Sequence, residues 1–155
     1  MKKKVWALIS IVLATAVFTI IALSKDDEVY SEKNCPKGMV SCVNAVTDKN
    51  SVKVVNGTSV YTRDGDFIHG DVFDWERLLD DVLKVDKNEI VTLEFFNNNP
   101  LNISGYQLDG SEREKEIDVT QNTFNAPSKS GTYTYELFGE YSNGTVHHYL
   151  KIKVK

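Results

Sequence analysis

No catalytic signature is present in this chain of 155 residues. There is no Gly-x-Ser-x-Gly elbow, no His-Glu-x-x-His pair and no glycine loop of the kind that cradles phosphates. Internal repeats at solenoid or propeller periods are missing as well. Cysteine is scarce, with only Cys35 and Cys42, and histidine occurs three times. A Cys-His pair would have to join one of those cysteines to a distant histidine. His147 and His148 are neighbours in a segment predicted to be a strand, so they point to opposite faces and do not chelate one ion together. Positive charge is in the minority, 18 basic against 22 acidic side chains. Setting aside Lys2, Lys3 and Lys4 leaves 15 against 22, or −7, a balance that opposes nucleic-acid binding and adhesion to anionic lipid. These absences predict a protein that is not an enzyme and has no nucleic-acid partner.

One long apolar run is present. Lys2 to Lys4 precede an uncharged stretch from Val5 to Ser24, and Asp26, Asp27 and Glu28 follow it. A basic flank, an apolar span and an acidic exit predict insertion in a membrane with the lysines in the cytoplasm and the rest of the chain outside the cell membrane. As a helix, residues 5–23 would be roughly 28 Å long, close to the hydrocarbon thickness. Residues 1–24 are therefore expected to be a retained single-pass signal-anchor. Ala22-Leu23-Ser24 offers the alternative, cleavage before Lys25 and secretion.

Residues 25–50 are polar with scattered charge and predict an extracytoplasmic stalk. Cys35 and Cys42 lie in it, separated by Pro-Lys-Gly-Met-Val-Ser. In an oxidising compartment their spacing predicts a disulfide. On this reading the bridge supports the stalk, and removing it leaves residues 51–155 nearly as stable as before. Met39 between the two cysteines keeps a soft-metal alternative open, copper(I). Asp64, Asp66, His69 and Asp71, with Asp74 beyond them, are the best cluster for a cation such as calcium. They do not follow the EF-hand pattern, and aspartate with glycine also populates ordinary turns. No other cofactor is expected.

From Ser51 the texture is that of short strands. Ser51–Val55 and Thr58–Thr62 flank Asn56-Gly57, the pair that most strongly predicts a hairpin turn, and Asp64-Gly65-Asp66 marks a second. One amphipathic helix is predicted, with Asp74 as N-cap and Trp75, Leu78, Leu79 and Val82 forming its apolar stripe. Further strands are predicted at Val91–Phe95, Ile103–Leu108, Ile117–Val119 and Thr123–Asn125. A long hairpin follows, turning at Asn143-Gly144. Tyr133, Tyr135, Leu137 and Tyr141 share one parity there, continued by Val146, His148, Leu150, Ile152 and Val154. The whole predicts a mainly β domain at 51–155, a sandwich of two antiparallel sheets.

Ser130-Gly131-Thr132-Tyr133-Thr134-Tyr135 looks like the start of strand F in immunoglobulin-like domains. More broadly, residues 88–155 resemble the C-terminal Ig-like regions of small exported or membrane-anchored proteins of Gram-positive bacilli. The resemblance implies an Ig-like sandwich in which Tyr133 is the corner tyrosine, buried to its hydroxyl. Tyr135 stands where the family's second core cysteine would be, so the inter-sheet disulfide is absent. The expected function is a non-catalytic, extracytoplasmic interaction module, held to the membrane by residues 5–23, whose partner is an envelope protein or glycan. Alternatives are an accessory subunit of a membrane complex and an extracytoplasmic metal-binding protein or enzyme.

Overall fold

A computed structural model describes residues 29–71 and 74–155. The segment expected to be an anchor lies outside the described residues, within which no helix is long and apolar enough to cross a membrane.

The strongest local pattern builds the centre of the fold. β10 (Gly131–Tyr141) and β11 (Gly144–Val154) pair antiparallel along their full length. Every second side chain from Tyr135 to Leu137, and from Val146 to Val154, is buried, as period two requires of a strand with one face on a core. The turn is Ser142-Asn143, one residue before the predicted Asn143-Gly144, and Gly144 opens β11 opposite Tyr141. A Cβ on Gly144 would stand 2.1 Å from the Val60 carbonyl oxygen, so the neighbouring strand approaches only because none is there.

Around this pair a larger sheet assembles from β3 (Val55–Arg63), β4 (Asp66–Gly70), β7 (Asn102–Asp109) and β8 (Glu112–Ile117), in the order β4-β3-β11-β10-β7-β8. β5 (Val82–Val85) lies parallel to the last four residues of β11 that precede Lys155. The second sheet has the order β2-β1-β6-β9, from β1 (Cys42–Val46), β2 (Ser51–Lys53), β6 (Ile90–Phe96) and β9 (Thr123–Asn125). Val43, Ala45, Val91, Leu93 and Phe124 from the smaller sheet meet Leu83, Tyr135, Leu137, Leu150 and Ile152 from the larger in one core. The chain is a mainly β protein of two sheets packed face to face.

Several expectations fail. Residues 25–50 are not all stalk, because β1 is an inner strand whose Val43 and Ala45 are fully buried. The polar residues before it are structural. Asn44 accepts from the Tyr30 amide at 3.0 Å and donates to the Tyr30 carbonyl at 2.9 Å, and Asn34 bonds Ser31 and Val29 in a similar way. Cys35 and Cys42 form their disulfide, Cα to Cα 5.9 Å, but Cys42 begins β1 opposite Phe96 and both cysteines are buried.

The predicted Asn56-Gly57 hairpin is absent, and β3 runs straight through it. The Asn56 amide is drawn inward, donating to the Ser41 carbonyl at 2.8 Å and meeting His148 Nδ1 at 2.6 Å. Gly57 lies under the Tyr149 ring, where a Cβ would come within 2.3 Å of Cε2. The second predicted turn, at Asp64-Gly65, does form, both residues having left-handed φ, 53° and 89°.

The predicted helix is a single 3-10 turn, Trp75–Leu78, and Asp74 makes no side-chain cap. Val82 begins β5, from which Leu83 and Val85 enter the core. Pairing with β11 requires the chain to be extended from Val82, which leaves too little length for a helix.

Tyr133 bonds backbone upstream, donating to the Lys129 carbonyl at 3.0 Å, but this bond lies at the surface and the ring is only half-buried. Tyr135 takes the fully buried place. With the hydroxyl reachable by water, Tyr133→Phe should cost about 0.5–1.5 kcal/mol, the net worth of one hydrogen bond. Urea unfolding checks this; a loss above about 3 kcal/mol would mean that the carbonyl is left stranded in a dry site.

Candidate functional site

The outer face of the larger sheet carries the most organised surface chemistry. Register places Tyr106, Glu136 and Tyr149 in one row across β7, β10 and β11, and Ser104, Phe138 and His147 in the next. Glu136 is a carboxylate on the side away from the core, yet it is only 6% exposed. Arg113 reaches it from β8, Nε to Oε2 at 2.6 Å and Nη2 to Oε1 at 3.1 Å, while its guanidinium lies 4.0 Å from the centre of the Tyr106 ring. That is the forked geometry in which arginine binds carboxylate most strongly. His147 Nδ1 bonds the same Oε1, and its ring stands edge-on to Phe138 at 4.9 Å. Burial pulls the Glu136 pKa upward, but the hydrogen bonds from His147 and Arg113 outweigh it and hold the carboxyl at about 2.

One end of the face is covered. The 3-10 turn sets Trp75 flat on Tyr149, centroids 4.0 Å apart and planes 3° from parallel. Leu79 and Leu108 pack beside them. Lys151 Nζ donates to the Leu79 carbonyl at 3.1 Å and pins the end of the turn. The groove between Trp75, Leu79, Thr134 and Lys151 has a volume of about 330 Å³. The uncovered part shows half-buried Tyr106, Phe138 and His147 around a compensated ion pair. Both oxygens of Glu136 already accept from donors, so the cluster holds its shape without a ligand.

On the core side, β11 carries a second polar group. His148 is fully buried; Nδ1 meets Asn56 Oδ1 at 2.6 Å and Nε2 meets the Tyr141 hydroxyl at 2.8 Å. Asn56 continues to Ser41, whose Oγ donates to the Asn98 carbonyl at 2.8 Å. This chain ties β1's entry, β3 and the long hairpin together. Every buried side-chain nitrogen and oxygen among the described residues has a partner. Burial, with a smaller contribution from neighbouring His147, pushes the His148 pKa down to about 3.

The residues singled out from the sequence are scattered by comparison. Asp64 and Asp66 sit at the β3–β4 turn, His69 pairs with Asp71 at 3.3 Å, and Asp74 pairs with Arg77 at 3.4 Å. Among the described residues no three histidine, cysteine, aspartate or glutamate side chains gather as a cation site would need. Cys35, Cys42 and Met39 do come together, with Met39 Sδ 3.8 Å from Cys42 Sγ, but the cysteines are joined to each other. Glu136 and Arg113 were not foreseen. Only the parity of Glu136, opposite to buried Tyr135 and Leu137, hinted at its face.

No family model, curated protein or solved structure matches this chain.

Proposed function

We propose that this chain is an extracytoplasmic interaction module with an Ig-like sandwich, anchored by residues 5–23, which holds an envelope protein on the outer face of its larger sheet. The observation that carries the reading is the Tyr106–Phe138–His147 surface built around the Arg113–Glu136 pair. Aromatic side chains and arginine, held rigid before binding, are the groups that dominate protein interfaces. A carboxylate whose oxygens are already engaged suits recognition better than proton transfer. The strand order supports the Ig-like part. β6 and β9 in one sheet, with β8-β7-β10-β11 in the other, follow the B, E and C′-C-F-G partition of that fold. The basic flank and apolar length of the N-terminal run support the anchor.

A photo-reactive phenylalanine analogue at position 138, in the full chain within its own membrane, tests this directly. The expected result is one covalent adduct with a distinct envelope protein, absent when the analogue replaces Ile90 on the smaller sheet. Arg113→Gln should reduce the adduct several-fold. Equal labelling from both positions, or capture of wall glycan in place of protein, would sink the proposal.

A further inference from the structure

We infer that β4 is the edge by which two copies of this chain join, each adding its β4 strand antiparallel to the other. The inference rests on strand edges and goes beyond the outer-face reading.

The other strand ends and edges are short or protected. β2 and β9 have three residues each. β5 has its Lys84 carbonyl taken by the Asn50 side chain at 2.8 Å. β8 runs Glu-Arg-Glu-Lys-Glu before Ile117, the kind of charged edge that resists pairing. β4, Asp-Phe-Ile-His-Gly, lacks such a run, and among the described residues nothing pairs with its outer side. Phe67 on it is 74% exposed.

The geometry of the turn says which groups are on offer. A two-residue turn at Asp64-Gly65 makes Arg63 and Asp66 a hydrogen-bonded pair, and alternation then aims the N–H and C=O of Phe67 and His69 away from β3. A second β4 strand, antiparallel about Ile68, meets those groups with its own. Phe67 of each copy then exchanges both hydrogen bonds with His69 of the other, and their rings lie side by side on one face. Asp66 falls opposite Gly70, so no two like charges face each other. The strand is complementary to itself in bonds, apolar contact and charge. This is why a second copy, and not an unrelated strand, is the occupant.

Ile68 meets Ile68 at the centre as a non-hydrogen-bonded pair, where Cα atoms lie about 4.5 Å apart. That falls within the range a disulfide spans, roughly 4.4–6.8 Å. Ile68→Cys in the full chain, oxidised in its native membrane, should give a covalent dimer on a non-reducing gel. Glu114→Cys on the charged β8 edge should stay monomeric. Phe67→Pro removes one outward N–H and leaves the β3–β4 bonds in place; Phe67→Lys sets a charge in the seam. Each, combined with Ile68→Cys, should abolish the dimer while the urea midpoint of at least one stays at the parent's value. No dimer at position 68 would overturn the inference. So would equal dimer at 114, a dimer that survives both substitutions, a midpoint that collapses in both, or an adduct with another protein in place of the dimer.

Discussion

Taking the protein from pH 7 to pH 4 should remove roughly 3 kcal/mol of folding stability through His148 alone. The imidazole is fully buried between Asn56 and Tyr141 and has a folded pKa of about 3 against an ordinary 6.5. Between those values the unfolded chain binds a proton that the native state refuses. Stability therefore rises with pH through this window: it is complete above pH 6.5 and is lost progressively as pH falls toward 3, at about 1.4 kcal/mol per pH unit. Below pH 4.5 Glu136 adds to the loss, because its folded pKa of about 2 lies under the ordinary 4.5. Its contribution is present above 4.5 and disappears as pH approaches 2. Urea unfolding at pH 7, 5.5 and 4.5 should show the steep limb in the wild type. His148→Gln should start lower at pH 7 and be nearly flat down to 4.5, and Glu136→Gln should keep the upper limb. A wild-type midpoint that does not move between pH 7 and 5 would show that His148 is not held neutral in the core.

The second large effect belongs to the disulfide. Replacing Cys35 and Cys42 by serine should cost roughly 3–6 kcal/mol. Opening a loop of this length releases roughly 2–3 kcal/mol of unfolded-chain entropy. Two hydroxyls then occupy sites that are 6% and 0% exposed, beside the Met39 thioether and β6, which adds about 1–3 kcal/mol. Asn97 Nδ2, now 2.8 Å from Cys35 Sγ, keeps a partner only if serine reaches it. The urea midpoint should fall sharply with the transition still cooperative, and reduction of the wild type should move it the same way. An unchanged midpoint would return the bridge to a stalk outside the cooperative unit, as the composition of residues 25–50 by itself suggested.

What was legible in the sequence follows from how far apart the partners lie. The β10–β11 hairpin was readable because its turn, alternation and partner strand all lie within Gly131–Val154. The strands at Val91, Ile103 and Thr123 were readable for the same reason, each by its own parity. Asn56-Gly57 misled because its amide and its missing side chain serve His148 and Tyr149, over ninety residues away. The stripe from Trp75 to Val82 misled because β11 captures its last member. Residues 25–50 looked like a stalk because polar composition does not reveal that the Asn34 and Asn44 side chains bond the backbone of Val29 and Tyr30. The outer-face site was the least visible part. Tyr106, Arg113, Glu136 and His147 come from four strands and meet only through cross-strand register.

By itself the sequence determined the β character of the chain, the long C-terminal hairpin and the pairing of its only two cysteines, since side-chain alternation and short separations are local quantities. Tertiary structure alone decided where the domain begins, which Asx-Gly pair turns the chain, and that Glu136 is a held carboxylate and not a solvated one. Those outcomes depend on which buried polar group finds its partner, and the partners lie in strands that only the packed sheets bring together.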